Sequence, residues 1–297
     1  MAVQAAAKPA SRDARRHNSQ MYDAMRRLAQ NKTAVLGFII ILIMILLAVF
    51  ADVLFNYEQT VIKQNYAEMC QGPSLAYPFG TDELGRDILA RVIHGTRVSL
   101  SIGFAATIMA SFLGGAIGAV SGFYGRRVDM IISRVMDMLM AIPGTLLAIA
   151  IVAALETSMR NLILALTISS IPKFARITRG AVMTVKDCEH IEAARAIGAR
   201  NGTIIIHHVL PNCLAPILVE LTISVSFAIL TISGLSFLGL GVQAPRPEWG
   251  AMLASSRTYI RDYSYMTFFP GLAIMLTILA FNLLGDGLRD ALDPRLK

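Results

Sequence analysis

Charged residues are scarce in this chain: they make up 16% of 297 residues, against about a quarter in a soluble globular protein. The deficit is concentrated in long apolar blocks, which excludes an ordinary soluble domain and predicts an all-α polytopic membrane protein. Cysteine is scarcer still. Cys70, Cys188 and Cys213 are odd in number, far apart and form no C-x-x-C pair, so neither a disulfide framework nor a metal or redox centre is expected. Catalytic signatures are missing as well, with no G-x-x-x-x-G-K-[ST] loop, no H-E-x-x-H and no G-x-S-x-G. The chain is therefore read as non-catalytic, binding no cofactor or metal, with its energy supplied by a partner. Nor is there a concentrated basic patch. The net charge of +7 comes from Lys and Arg placed in the connections between apolar blocks, so the expected partner is a lipid bilayer and not nucleic acid.

What the chain does have is a series of apolar blocks. The first, Ala34–Ala51, is uncharged over 18 residues and reaches about 27 Å as a helix, close to a bilayer core. About thirty polar residues precede it and no A-x-A site follows closely, so it is expected to be a retained span. Val98–Gly125 is rich in small residues, which suits close helix packing in lipid. Met138–Leu155 contains Pro143 and Gly144, tolerable in a buried transmembrane helix. Asn161–Pro172 is short, Val209–Gly241 carries Glu220, and Met266–Gly285 is the last block.

Charge decides whether the short block spans. With six spans and the N-terminus inside, the inner segments hold seven Lys and Arg before Ala34, three in 124–137, six in 173–208 and three after Gly285, against eight outside. Leaving Asn161–Pro172 out of the membrane makes the split nearly even, so the positive-inside rule favours six spans with both ends cytoplasmic. The short block then extends into "KFARITRG", with Lys173 and Arg176 reaching the interface. The expected organisation is a cytoplasmic segment 1–33, a first transmembrane helix 34–55, an outer loop 56–97 with an interfacial helix, a five-helix core 98–285 and a cytoplasmic tail 286–297. The first residues, up to about Asp23, are expected to be mobile.

One inner connection, "EHIEAARAIGARNG", stands out because it is polar and alanine-rich. It predicts a short helix over 187–199, with Asp187 and Glu189 near its positive end and Ile191, Ala194 and Ile197 as a modest apolar stripe. Glu192 and Arg195 are spaced to pair, and Gly198 with Asn201-Gly202 stops the helix and reverses the chain. Its small side chains allow another protein's backbone to come close.

At these residues the chain resembles the permeases of bacterial ABC importers. Their cytoplasmic motif reads E-A-A, three residues, G, nine residues, I, one residue, L-P. Glu192, Ala193, Ala194, Gly198, Leu210 and Pro211 match it, with His208 in place of the isoleucine. "FGTDELGRDILARVIHGTRVSLSIG" (79–103) and "FNLLGDGLRDALDPRL" (281–296) look like the peptide-importer group, and the modest outer loop looks like its second permease subunit. The resemblance implies a type I ABC importer permease fold in the bacterial cytoplasmic membrane. It also implies a homologous second permease subunit, two ATP-binding subunits that use ATP and Mg, and an extracytoplasmic substrate-binding protein. In that scheme the Glu192 helix is the coupling helix docked on an ATPase, and the cargo is a dipeptide or short oligopeptide, with nickel or another small solute as the alternative. A gradient-driven secondary transporter is the rival class, and it would need several intramembrane ionisable groups and paired broken helices.

Single residues carry narrower expectations. Glu220 sits inside a block, where a charge costs about 2.5–3.5 kcal/mol on insertion scales, so it must face a cavity or a partner. It either lines the translocation path, meeting a peptide ammonium, or makes a structural bond to a neighbouring helix. Asp137 is spaced to pair with Arg134. His207 and His208 are adjacent on a helix and point about 100° apart, so they are not expected to chelate a metal together. Trp249 is expected to anchor at the interface, with a binding-protein contact as the sharper alternative, and Asp87, Arg91 and His94 to form the polar side of the interfacial helix.

Overall fold

The computed structural model describes residues 25–292. The N-terminal segment expected to be mobile, up to residue 24, and the end of the tail, 293–297, lie outside the described residues. The described part is helical, with a single isolated β-bridge between Thr81 and Asp87. Helix α1 is Lys32–Val49, capped by Asn31, whose side chain accepts from Thr33 and Ala34 amides. α2 is Ile88–Tyr124, α3 is Arg126–Met140, α4 is Gly144–Leu155 and α5 is Met159–Val185. The short α6 is Glu189–Ala196, α7 is Leu214–Phe237, α8 is Trp249–Ser256 and α9 is Tyr265–Leu292.

Among the described residues, four helical stretches are long and apolar enough to cross a membrane: α1, α2, Asn201–Phe237 (which ends in α7) and α9. α3 and α4, bent by 80° at the break between them, pass the same test only when taken together, as one broken span or a re-entrant loop. The bend corrects the expectation of one helix over Met138–Leu155. Pro143 has no N–H to donate and sits ahead of α4 as its extended N-cap, so the ladder breaks between Met140 and Gly144. α5 runs through the short block Asn161–Pro172 to Val185, about 40 Å of helix, but its cations keep it from reading as an apolar span.

The outer segment corrects a second expectation. Residues 88–97 are not a separate interfacial helix. They begin a single helix of 37 residues, about 56 Å long, so α2 projects well beyond a bilayer core. Its polar side chains turn inward, and Asp87, Arg91 and His94 are all buried. Arg91 donates to the Val61 carbonyl (2.9 Å) and lies 3.4 Å from Asp82, which also holds Arg86 at 2.7 Å. His94 Nε2 meets the Phe55 carbonyl at 3.1 Å. The preceding loop supplies backbone acceptors and a carboxylate, so burying these groups against it satisfies them better than a lipid headgroup surface would. Phe79 stacks on Phe269, and Tyr265 donates to the Thr81 carbonyl, which ties the loop to α9 as well.

Asp87 caps α2 by accepting from the Leu89 and Ala90 amides. Burial pushes its carboxyl above the usual carboxylate range, and the two amides pull it back only in part. A carboxyl raised in the folded state gains stability as pH falls through its folded value. Asp87→Asn keeps a capping oxygen and removes the buried charge, whereas Asp87→Ala should cost about 1 kcal/mol. In thermal unfolding of the detergent-solubilised protein, wild type should gain on Asp87→Asn as pH drops from 7 towards the carboxylate range; a constant difference would refute this.

Trp249 also departs from the interfacial role expected of it. It is fully buried, donating from Nε1 to the Val92 carbonyl at 3.0 Å. Glu248, equally buried, caps α8 through the Gly250 and Ala251 amides (2.9 Å each) and accepts from Ser99. The loop before α9 therefore folds back into the bundle.

The most extensive pairing is α2 with α5. Gly114, Gly118 and Gly122 lie along one face of α2, and a Cβ there would meet α5 directly. At Gly114 it would come within 2.6 Å of the Ile171 carbonyl oxygen, at Gly122 within 2.9 Å of that of Arg179, and at Gly118 it would overlap that of Ala175. The two backbones touch, which is the close approach that small residues allow in lipid.

Candidate functional site

The connection between α5 and α7 is built on an apolar anchor. Ile191 and Ala194 of α6 pack with Ala119 from α2, Val182 from α5, Ile204, Ile205, Val209 and Cys213 from the returning chain, and Ile217 from α7. Leu210 packs against the same cluster, and Pro211 is half-buried beside it. Glu192, Ala193 and Gly198 are exposed. The structure thus brings Ala194 and Leu210 together as the base of the element and leaves the other motif residues open.

α6 is shorter than the expected 187–199. It starts after Cys188, which offers no side-chain cap, and leaves Asp187 before the helix. It ends in a Schellman turn, in which the Gly198 amide bonds the Arg195 carbonyl and the Ala199 amide the Ala194 carbonyl (3.0 and 3.1 Å). Gly198 takes φ +83°, a conformation glycine adopts without strain. The turn throws Ile197 off the expected stripe, leaving it 86% exposed. Arg195 stacks over Phe123, 6.0 Å from the ring centre, and not on Glu192.

The chain then returns through Asn201–Ile204 and a π-helical turn, Ile205–Val209, closed by Leu210 N–H to the Ile205 carbonyl. Pro211 explains the widened turn, because its ring displaces the carbonyl of residue 207 and it has no N–H to give. The Asn212 side-chain amide satisfies the His208 carbonyl at 2.6 Å. Among the described residues, no group of three or more His, Cys, Asp and Glu is placed to hold a metal, His207 and His208 included.

Glu220 stands apart from this element. It lies on α7, 2.5 Å from Lys173 Nζ on α5, and accepts from Ser224 at 2.7 Å. Lys173 also lies 5.2 Å from the centre of the Phe227 ring. One turn further along α5, Arg176 donates to Asp137 on α3 at 2.8 Å, so Asp137 pairs across helices and not with Arg134. The next cation, Arg179, holds Asp129 with two bonds (2.5 and 2.7 Å). Glu220 is conspicuous in the sequence, whereas its partner Lys173 is not. The signal was the recurrence of Lys173 and Arg176 at helical spacing with Ser169 and Gly180, a polar stripe inside a span.

Residues 114–297 match the family described as binding-protein-dependent transport system inner membrane component. Residues 19–73 match the N-terminal transmembrane domain of oligopeptide transport permease C. The dipeptide transport system permease protein DppC of Alkalihalophilus pseudofirmus is 48% identical over 93% of this chain and 90% of its own length. The glutathione transport system permease protein GsiD of Pectobacterium atrosepticum is 44% identical over 92% and 90%. A di/tripeptide permease of Pseudomonas aeruginosa is 42% identical over 97% of both chains. Among solved structures, a chain of the inward-facing MetNI methionine ABC transporter aligns with a TM-score of 0.58 over 69% of this chain and 98% of its own, at 17% identity, a likeness of fold. With this bundle and these relatives, the chain belongs to the binding-protein-dependent transport system inner membrane components, the permeases of ABC importers.

Proposed function

We propose that this permease moves dipeptides or short oligopeptides across the cytoplasmic membrane, together with a homologous second permease subunit. Its relatives' names support the cargo. Six spans with both termini cytoplasmic complete the topology, α5 being the fourth span. An extracytoplasmic binding protein delivers the peptide to the outer loops. Two ATP-binding subunits, using ATP and Mg, drive the cycle, and this chain itself performs no catalysis.

The ATPase contact is the element carrying Glu192, Ala193, Ala194, Gly198, Leu210 and Pro211. The observation that carries this reading is its division into two sides. Ile191 and Ala194 are locked into the cluster at the ends of α2, α5 and α7, while Glu192, Ala193, Ile197 and Gly198 face outward. A push on the exposed side reaches three membrane helices at once. Glu220 belongs to the translocation path in the same reading.

The test is a single cysteine at Glu192, crosslinked to the co-expressed ATPase, with uptake of labelled dipeptide followed in parallel. A specific crosslink, with uptake abolished when the ATPase is inactivated, supports the proposal. Uptake indifferent to ATP would overturn it.

A further inference from the structure

α5 presents two unlike sides. One is packed on α2, backbone against backbone, around Phe174, Ala175 and Thr178. On the opposite side, Ser169, Lys173, Arg176 and Gly180 recur at spacings of four, three and four, which places them in one line along the helix. This line is open: Lys173 is 44% and Arg176 57% exposed in their side chains. Cations on a lipid-facing line would cost up to about 2.5–3.5 kcal/mol each at the helix centre and less towards the interface, so the line favours water or a polar partner.

Each cation already has a carboxylate, and the two come from different helices. Glu220 reaches Lys173 from α7, and Asp137 reaches Arg176 from α3. The pairs sit about 4.5 Å apart along α5. A dipeptide in extended form spans about 7 Å between its charged ends, enough to bridge one pair's carboxylate and the next pair's guanidinium. A cavity of about 300 Å³ between α2, α3 and α5 opens beside Asp137 and Arg176, at the lower end of volumes that hold small ligands.

We propose that the Ser169–Lys173–Arg176–Gly180 line of α5 borders the aqueous path, and that the pairs Lys173–Glu220 and Arg176–Asp137 are consecutive exchange sites for the two termini of a zwitterionic peptide. This rests on the peptide-import reading. An ammonium replaces Lys173 at Glu220 while the peptide carboxylate takes Arg176, and the displaced protein charges pair again once the peptide moves on. Two ion pairs are traded for two of the same kind, with the released Lys173 ammonium and Asp137 carboxylate left to the water of the path while the peptide is bound, so the peptide is admitted without being held. Passage through a conduit requires that balance. The Phe227 ring beside Lys173, itself exposed, supplies an apolar wall for side chains.

The experiment uses the complete transporter in proteoliposomes, with Cys70, Cys188 and Cys213 replaced by alanine. Single cysteines at Ser169 and Gly180 are reacted with a charged, membrane-impermeant methanethiosulfonate. Leu164 and Ile168, exposed apolar positions about 110–150° around α5 from that line, serve as references. Modification at 169 and 180 should be at least tenfold faster than at 164 and 168 and should slow during dipeptide import. The neutral double variant Lys173→Met/Glu220→Gln should import a zwitterionic dipeptide at least tenfold more slowly. Equal labelling at the two sets of positions, or double-variant uptake within twofold of wild type, overturns the inference. Failure of the wild-type complex to import any dipeptide would sink the cargo reading and the peptide exchange with it, whereas fast labelling at 169 and 180 would still uphold the aqueous face.

Discussion

Gly118→Val should leave little assembled transporter in the membrane, whereas Gly115→Ala should be recovered at wild-type level. The two glycines lie three residues apart on α2, but their surroundings differ. A Cβ on Gly118 overlaps the Ala175 carbonyl oxygen of α5 and crowds the Thr178 Cβ at 2.9 Å, while a Cβ on Gly115 finds only the Thr178 hydroxyl, at 3.8 Å. Backbone oxygens cannot rotate away, so α2 and α5 must separate. Overpacking of this kind costs about 1–3 kcal/mol and sometimes more, out of a total stability of about 5–15 kcal/mol. The crossing also positions Val182 and Ala119, which hold α6, so the damage should extend to the connecting element. Size-exclusion profiles and melting of the co-expressed, detergent-solubilised complex decide the matter. A Gly118→Val complex as stable as Gly115→Ala would show that the helices do not meet by backbone contact.

Gly198→Leu should abolish peptide uptake, by tenfold or more, in a complex that still assembles. Two effects combine there. The residue has φ +83°, where a side chain costs about 1–2 kcal/mol, and no atom beyond its chain neighbours lies within 4 Å of a Cβ built on it, so any side chain projects outward, into the contact proposed for the ATPase. Gly198→Asn separates the two, since asparagine tolerates this backbone conformation better than leucine. The ordered expectation for uptake is wild type, then Asn, then Leu. ATP hydrolysis should persist without transport in the Leu variant if docking is what has failed. Near-normal uptake by Gly198→Leu would count against a contact at this turn.

Much of this was legible from the chain itself, for reasons that can be traced residue by residue. Apolar blocks name membrane helices because lipid offers no partner to a backbone amide, and α1, α2, α7 and α9 fall within or across the expected blocks. Gly198 marks the end of α6 because its conformation favours glycine. Other features were not legible because they depend on what lies opposite. Composition called Asp87, Arg91 and His94 a polar surface, and they became buried once Val61, Phe55 and Asp82 were brought against them. Trp249 read as an anchor for the interface, and the Val92 carbonyl captured it inside the bundle.

The same division runs through the charged residues of the spans. Local patterning alone determined that this chain is a helical membrane protein with an E-A-A element between two spans, because burial in lipid and helix capping act within a few residues. Tertiary structure decided that Glu220 meets Lys173 and Asp137 meets Arg176. The partners are 47 and 39 positions apart in sequence. Only the packing of α3, α5 and α7 determines which opposite charge a buried or half-buried ion finds.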